Sequence, residues 1–345
     1  MMAKSRKQKK RRANKELIKI TAVLLSFLVI IFIIGITAII FISNAKKMDM
    51  PVSYSSQNLV YGNVIDSDIQ TTSGFAENLC VTTEDVGNNN ISLQDNSIGG
   101  LFNLDDKTIE FSSHLYDQVY PASITKIMTA ILTEKYADMN DVVTITSEDL
   151  NLESGSQVVG FEVGDQVTVN ELFHGLLIHS GNDAAMALAR HVGGTVDNFV
   201  KMMNEEANNI GAFNTHFMNP SGLHHASHYT SVYDIYLMLN EAMSYPHFME
   251  VMQLSVYNLT YTSDYGTEKS VNLDSTDHYL TKEVSAPKGV TVLGGKTGTT
   301  GLAGNCRALL SQNAYGEPHI SIILRASTKT SLYDQMNQLL AESNS

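Results

Sequence analysis

The feature that most constrains this chain is an uncharged, apolar stretch of 23 residues, Ile20 to Ile42. As a helix rising about 1.5 Å per residue it is long enough to cross a bilayer. It also exceeds the roughly 7–15-residue apolar core of a cleaved signal peptide, the alternative reading. Nine Lys and Arg lie in residues 1–19, and the positive-inside rule places that basic segment in the cytoplasm. We therefore predict a single-pass protein of the cell membrane, anchored in the lipid bilayer through residues 20–42, with an extracytoplasmic remainder.

The charge pattern separates residues 1–47 from the rest of the chain. Eleven of the 23 Lys and Arg lie in residues 1–47, whereas only one of the 36 Asp and Glu lies there. The remainder therefore carries a net charge of about −23, the opposite of the basic footprint that nucleic-acid binding requires. We expect a solvated acidic surface and no nucleic-acid partner.

Beyond the apolar stretch the sequence divides into two parts. Residues 43–77 are polar and aperiodic, which predicts an extracytoplasmic stalk. Residues 78–345 have the composition of a globular domain with an ordinary core. Its two cysteines, Cys80 and Cys306, are the only ones in the chain, and the sequence leaves open whether they pair.

Periodicity within this domain predicts strands at both ends and helices between them. Strands are expected in "SIGGLFNLDDKTIEFSS", "VTVLGGKTG", "NCRALLSQNA" and "HISIILRAS". Helices are expected in "YPASITKIMTAILTEKYAD", in two pieces of "NELFHGLLIHSGNDAAMALARHVGG", in "VDNFVKMMNEEANNIG" and from about Ser331. The first of these helices has an apolar core stripe formed by Ile124, Ile127, Met128, Ile131 and Leu132. An antiparallel sheet built from the two ends and covered by helices, an α+β fold, is the expected architecture.

The stretch "GGKTGTT" resembles the end of a phosphate-binding loop, G-x-x-x-x-G-K-[ST]. The glycine required five positions before Gly295 is replaced by Val290, and the glycine-rich sequence that follows does not begin a helix. A nucleotide site is therefore not expected here.

Three short motifs make chemical sense together as a serine acyl-transfer site. In the first, Ser123 and Lys126 are spaced to lie one helical turn apart, and a desolvated lysine acts as a base toward a serine hydroxyl. The second, Ser180-Gly181-Asn182, supplies a hydroxyl and a carboxamide for proton relay and positioning, although alone it is also ordinary turn chemistry.

The third motif lies at the end of a predicted strand. Gly298 leaves room for a substrate to lie alongside as an added strand. Lys296 supplies positive charge, and the hydroxyls of Thr297 and Thr299 suit a terminal carboxylate. An amide N–H of this strand, paired with that of Ser123, is expected to form an oxyanion hole.

S-x-x-K, S-D-N and K-T-G together are the signature of penicillin-binding proteins and class A β-lactamases, and here they occur in that order with SGN in the middle. From about Leu79 onward the chain resembles the serine-type D-Ala-D-Ala carboxypeptidases, the low-molecular-mass penicillin-binding proteins. The stretches that carry the resemblance are "YPASITKIMTA", "GLLIHSGNDAAMALARHVGG", "NTHFMNPSGLHHASHYT" and "LGGKTGTTGLAGNC".

This resemblance implies a penicillin-binding, β-lactamase-like transpeptidase fold with a helical subdomain. It implies that Ser123 is acylated, that Lys126 is its base, and that Ser180 and Asn182 relay protons and position the substrate. It assigns the substrate carboxylate to Lys296, Thr297 and Thr299. The implied partners are a peptidoglycan stem peptide ending in D-Ala-D-Ala and β-lactam antibiotics, with no cofactor. Some relatives carry a carboxylate-binding arginine after the last strand; here only Lys329 matches, and its role stays unassigned, while Arg325 is expected within the strand.

Three related functions remain as alternatives. A class A β-lactamase requires a glutamate that activates the deacylating water, and "NPSGLHH" offers none. A D,D-endopeptidase shares the acyl half of the substrate and is not separated by sequence. A non-catalytic β-lactam sensor needs an output domain, which residues 1–19 do not provide. We assign His224, His225 and His228 to structure, because no acidic or Cys partner lies at ligand spacing, and expect no metal.

Overall fold

The strands from the two ends of the domain form one antiparallel sheet, as the sequence predicts. The structure, a computed structural model, describes residues 78–94 and 96–345. In the order β2-β1-β9-β8-β7, this five-stranded sheet places β7 at an edge. Its strands are β1 (Ile98–Asn103), β2 (Thr108–Ser113), β7 (Thr291–Thr300), β8 (Gly304–Gln312) and β9 (Pro318–Ala326). Arg325 lies within β9, as expected.

Seven α-helices occur among the described residues. The predicted helices are all present, and a single 3-10 turn, Ala122–Thr125, precedes the first of them. The helices are α1 (Lys126–Tyr136), α2 (Val169–Leu177), α3 (Asn182–Gly193), α4 (Val196–Asn209), α5 (Val232–Ala242), α6 (Pro246–Met252) and α7 (Lys329–Glu342).

Helices cover both faces of the large sheet. On one face, α7 packs its apolar side against Leu101, Leu309 and Ile323. On the other face, α5 packs against β1, β8 and β9. Helix α1 lies deeper, among the other helices, and the predicted core stripe, which runs from the 3-10 turn into α1, is confirmed, since all five side chains are at most 1% exposed. The serine and lysine of the first motif are therefore carried into the centre of the domain.

A second, four-stranded sheet was not predicted from the sequence. It has the order β3-β4-β5-β6 and consists of β3 (Val142–Thr144), β4 (Gln166–Thr168), β5 (Val256–Thr262) and β6 (Glu268–Asp274). Two of these strands have only three residues, too short for the alternation of apolar and polar residues to mark them. Helix α2 packs against β4 and β5 of this sheet, and the helical subdomain stays a prediction.

The predictions for residues 1–19, 20–42 and 43–77 lie outside the described residues, so the anchor and the stalk stay predictions. Within residues 78–94 and 96–345, no helix combines the length and the apolar character needed to cross a bilayer.

Candidate active site

The 3-10 turn brings the first predicted pair of side chains together. Residues i and i+3 eclipse each other in a 3-10 helix, so Ser123 in the turn and Lys126 at the start of α1 point to the same side. Lys126 Nζ lies 3.0 Å from Ser123 Oγ. Ala122, directly before the serine, has a left-handed backbone with φ 49°, which costs about 1–3 kcal/mol for a residue with a side chain. Surrounding packing therefore holds the serine in a strained turn.

Lys126 is fully buried and has two other partners besides the serine. Its amine donates to Asn182 Oδ1 at 2.6 Å and to the backbone carbonyl of Ser221 at 2.8 Å. Burial lowers the pKa of Lys126 well below its usual value, and the nearby Lys296 amine lowers it further. A neutral amine has two N–H groups and one lone pair. Since the two carbonyl oxygens can only accept, Lys126 in its neutral form keeps its lone pair for the Ser123 hydroxyl.

The second motif lies in the break between α2 and α3, as predicted. Ser180 has a left-handed backbone with φ 62°, and Asn182 is the first residue of α3. Both side chains are buried. The turn is held in place by Asp183, whose carboxylate accepts the backbone N–H groups of Val159 and Gly160 at 2.9 Å each.

The third motif lies in β7, the edge strand. Lys296 is 2% exposed, and its Nζ donates to Ser180 Oγ at 2.8 Å. Burial and the neighbouring Arg307 guanidinium lower the pKa of Lys296 to about 7. Lys296 therefore reaches the cleft only through the hydroxyl of Ser180, which lines it. Thr297 and Thr299 line the cleft directly.

Gly298 is required by the close approach of β7 to the catalytic turn. A Cβ at this position would lie 2.8 Å from Ser123 N and 3.1 Å from Ile124 N. Such distances are shorter than a carbon can approach a backbone nitrogen without displacing it. The backbone of β7 thus lies directly against the amide of Ser123, a proximity that the predicted oxyanion hole requires.

Each predicted motif contributes to the lining of one cleft of about 330 Å³, through Ser123, Ser180 and Thr297 to Thr299, whereas Lys126, Asn182 and Lys296 are not among its lining residues. The lining residues that sequence reasoning missed are Gln157, Thr276, His278, Asn305, Leu332 and Tyr333. Ser221, which acts through its backbone carbonyl, was missed as well, because a main-chain oxygen leaves no signal in a sequence. Lys329 also lines the cleft. No carboxylate is among the described side chains that line it.

Outside the cleft, the histidine cluster forms ordinary structural contacts. His228 Nδ1 accepts the Met218 N–H at 3.3 Å, so Nε2 carries the proton toward Thr125 Oγ1, 2.8 Å away. Burial, and then the neighbouring histidines, lower the pKa of His228 to about 3. This neutral ring links the catalytic turn to the loop that carries Ser221, in agreement with the structural role assigned from the sequence.

Cys80 and Cys306 do not pair in this structure. Both are free and buried, and burial raises the pKa of the Cys306 thiol to about 11. Neither thiol is therefore a ready nucleophile at neutral pH.

Comparison with known proteins agrees with this geometry. The family model described as D-alanyl-D-alanine carboxypeptidase matches residues 106–328. The chain is 34% identical over 248 residues to the D-alanyl-D-alanine carboxypeptidase DacF of Bacillus subtilis, covering 70% of this chain and 60% of DacF. It is 38% identical over 115 residues to a D-alanyl-D-alanine endopeptidase of Haemophilus influenzae, covering 32% of this chain and 38% of that protein. The chain thus spans 60% or less of the length of these curated relatives.

Among solved structures, the chain is similar to the Streptomyces K15 DD-transpeptidase. The two share 25% sequence identity with a TM-score of 0.66, over 71% of this chain and 95% of that chain. A penicillin-binding-like α+β fold of antiparallel sheets and helices, the fold predicted from the sequence, is thereby confirmed.

Proposed function

The chain belongs to the D-alanyl-D-alanine carboxypeptidase family, and from this premise we propose that it is a serine D,D-carboxypeptidase. Its substrate is a peptidoglycan stem peptide ending in D-Ala-D-Ala, from which it removes the terminal D-Ala. The observation that carries the proposal is the environment of Lys126. A buried amine whose two N–H groups are taken by acceptors at 2.6 and 2.8 Å keeps its lone pair for Ser123 Oγ.

Acylation begins when Ser123 Oγ attacks the carbonyl carbon between the two D-alanines. Its proton passes to Lys126 Nζ as the new C–O bond forms. The carbonyl oxygen becomes an oxyanion between the amide N–H of Ser123 and an amide N–H of β7. When the C–N bond breaks, the proton held by Lys126 passes to the leaving amine through the hydroxyl of Ser180, whose Oγ accepts a hydrogen bond from Lys296, and Lys126 is neutral again.

Deacylation returns the enzyme to its starting state. Water attacks the ester carbonyl of the acyl-enzyme and gives its proton to Lys126. Ser123 then leaves as the hydroxyl, and the shortened peptide is released with a new carboxylate. A β-lactam, which offers a carboxylate and a reactive amide in a similar arrangement, acylates the same serine. The cleft-lining residues include no carboxylate to activate water for this adduct, which favours slow loss of the β-lactam over β-lactamase activity.

The test is intact mass spectrometry of residues 78–345 after incubation with benzylpenicillin, followed by assay of D-Ala release from a pentapeptide. We expect one adduct per chain in the wild type and none in Ser123→Ala. A folded wild-type protein without an adduct contradicts the proposal. An adduct without D-Ala release from any peptide would instead indicate a sensor.

The endopeptidase is kept as a second candidate because of the 38% identity to the Haemophilus influenzae D-alanyl-D-alanine endopeptidase. The two activities differ in the leaving group, a single D-Ala or a cross-linked peptide. Comparing kcat/KM for a pentapeptide with that for a cross-linked peptide dimer separates them, and we expect the pentapeptide to be preferred.

We also propose that residues 20–42 anchor the protein in the cell membrane, with residues 1–19 in the cytoplasm and the catalytic domain outside. The support is the uncharged length of this stretch and the basic residues that precede it. Protease added to intact cells is expected to remove the catalytic domain and to spare a tag at the N-terminus. Release of the full-length chain by a carbonate wash contradicts the anchor.

A further inference from the structure

A buried arginine lies directly behind the substrate strand. Arg307 is 0% exposed and lies on β8, where its register partner on β7 is Thr297 of the third motif. Residues directly opposite each other on neighbouring strands place their side chains on the same face of the sheet. The guanidinium and the Thr297 hydroxyl therefore lie on one side, beneath the end of the cleft that the motif assigns to a carboxylate.

Two groups hold this guanidinium in place. One of its terminal nitrogens donates to the carboxylate of Asp277, which is itself 2% exposed. The other donates to Tyr333 Oη at 3.0 Å. The guanidinium also lies 4.9 Å from the centre of the Tyr279 ring and 5.3 Å from that of Tyr333. A buried ion pair is costly to desolvate, so its presence is weak evidence of a gain in stability. We therefore ask what the Arg307–Asp277 pair positions in the neighbouring cleft.

Asp277 connects Arg307 to the cleft. Its second carboxylate oxygen accepts the backbone N–H of Tyr279 at 2.8 Å, which fixes the turn that follows β6. The preceding residue, Thr276, lines the same cleft as Ser123. Its hydroxyl oxygen lies 2.6 Å from that of Thr297. Arg307 thus fixes Asp277, and the turn capped by Asp277 places Thr276 against the substrate strand.

The hydroxyls of Thr276 and Thr297 together have one proton that their mutual hydrogen bond does not use. Each threonine hydroxyl has a single proton, and the bond between the two oxygens uses one of them, whichever residue donates. The remaining O–H is free to donate into the cleft. Donation to an anion is stronger than donation to a neutral acceptor, so this end of the cleft favours a carboxylate over a carboxamide.

We propose that Arg307 is a positioning residue of the carboxylate subsite. Through Asp277 and Thr276 it fixes the one free hydroxyl proton of the Thr276–Thr297 pair, so that the enzyme selects peptides with a free C-terminal carboxylate. This inference rests on the proposed function, since it concerns the substrate of the same site. It also gives a physical reason for preferring a terminal D-Ala to a leaving group whose carboxyl is amidated.

The test compares an N-acetylated tripeptide ending in D-Ala-D-Ala with the same tripeptide as its C-terminal carboxamide. The measured quantity is the ratio of their kcat/KM values. Thr276→Val removes the hydroxyl and keeps the shape, and it is expected to lower the ratio about tenfold through a higher KM for the carboxylate peptide. Arg307→Lys keeps the charge but loses the planar guanidinium, whose two terminal nitrogens donate to Asp277 and Tyr333 separately, and it is expected to lower the ratio in the same direction.

Arg190→Lys is the matched control. Arg190 donates two hydrogen bonds to the buried Asp149, at 2.9 and 2.8 Å, from the far end of α3. This variant is expected to lose stability without a change in the ratio. If Thr276→Val and Arg307→Lys leave the ratio at the wild-type value in an enzyme that still takes up benzylpenicillin, the inference is wrong and the proposed function stands. If the wild type neither takes up benzylpenicillin nor releases D-Ala, both are wrong.

Discussion

Replacing Gly298 by alanine tests whether the approach of β7 to the catalytic turn sets the rate of acylation. The added Cβ would lie 2.8 Å from Ser123 N, 3.1 Å from Ile124 N and 3.1 Å from Ala122 Cβ. Contacts of this kind need about 3.5 Å or more, so the turn or the strand has to shift by several tenths of an ångström. Ala122 and Ile124 are at most 1% exposed, so the turn can yield only on the side where Ser123 lines the cleft, and such a shift displaces the serine itself.

A misplacement of about 1 Å in an active site costs about a hundredfold in rate. We therefore expect Gly298→Ala to slow acylation by benzylpenicillin by roughly ten- to a hundredfold. Overpacking of this size also lowers the free energy of unfolding by about 1–3 kcal/mol. The rate is measured as the growth of the acyl-enzyme mass with time at several benzylpenicillin concentrations, and the stability by thermal unfolding.

The chain offers a close control in Gly301, three residues further on. An added Cβ at Gly301 meets no atom within 4 Å, so Gly301→Ala is expected to acylate at the wild-type rate with an unchanged Tm. Wild-type acylation by Gly298→Ala would refute the reasoning. A lowered Tm with an unchanged rate would refute it equally, because the clash would then be relieved away from the serine.

Three further predictions concern the ionisable groups. Lys126→Arg cannot supply a lone pair, and we expect acylation to fall by about 10²–10⁴-fold in the mass assay, with retained activity contradicting the base role. Peptide turnover is expected to rise with pH as Lys126, whose pKa is lowered by burial, loses its proton. It should fall above about pH 7 as Lys296, which donates to the proton-relaying Ser180, loses its proton; turnover that does not fall above that pH would contradict this role of Lys296. His319 is buried, yet hydrogen bonds to Glu110 and to the Glu317 carbonyl raise its pKa. The contribution of His319 to stability is therefore full below about pH 6.5 and is lost as the pH rises through its raised pKa in the folded protein. The free energy of urea unfolding of His319→Gln should depend less on pH over this range than that of the wild type. An unchanged pH dependence would contradict the prediction.

Individual helices and strands of this fold can be predicted from the spacing of apolar residues along the sequence. The apolar spacing in α1 predicts a buried helix because side chains three and four residues apart share one face. The strands of the large sheet have enough apolar length to be recognised individually. The second sheet has no such signal in β3 and β4, each three residues long. Of the two, β4 pairs with β5, through Gln166 and Thr262, and this is a tertiary contact across almost a hundred residues of chain.

The site residues likewise include some that local sequence patterns identify and others that only the folded structure reveals. Ser123, Lys126, Ser180, Asn182 and the residues of β7 are identified from three short motifs. Thr276 and the carbonyl of Ser221 are not, because a lone threonine and a main-chain oxygen have no distinguishing pattern. Lys329, left without a role by the sequence, lines the cleft.

What the sequence by itself determined was the kind of chemistry: a serine with a lysine three residues later, a hydroxyl and an amide in a turn, and a strand suited to a peptide terminus. Whether these groups meet, and in which direction their pKa values shift, follows only from the folded chain. The pKa values of Lys126 and Lys296 are lowered because packing removes both amines from water and sets Lys126 near Lys296 and Lys296 near Arg307. Desolvation and charge proximity depend on every segment that surrounds a group, and those segments come from distant parts of the chain.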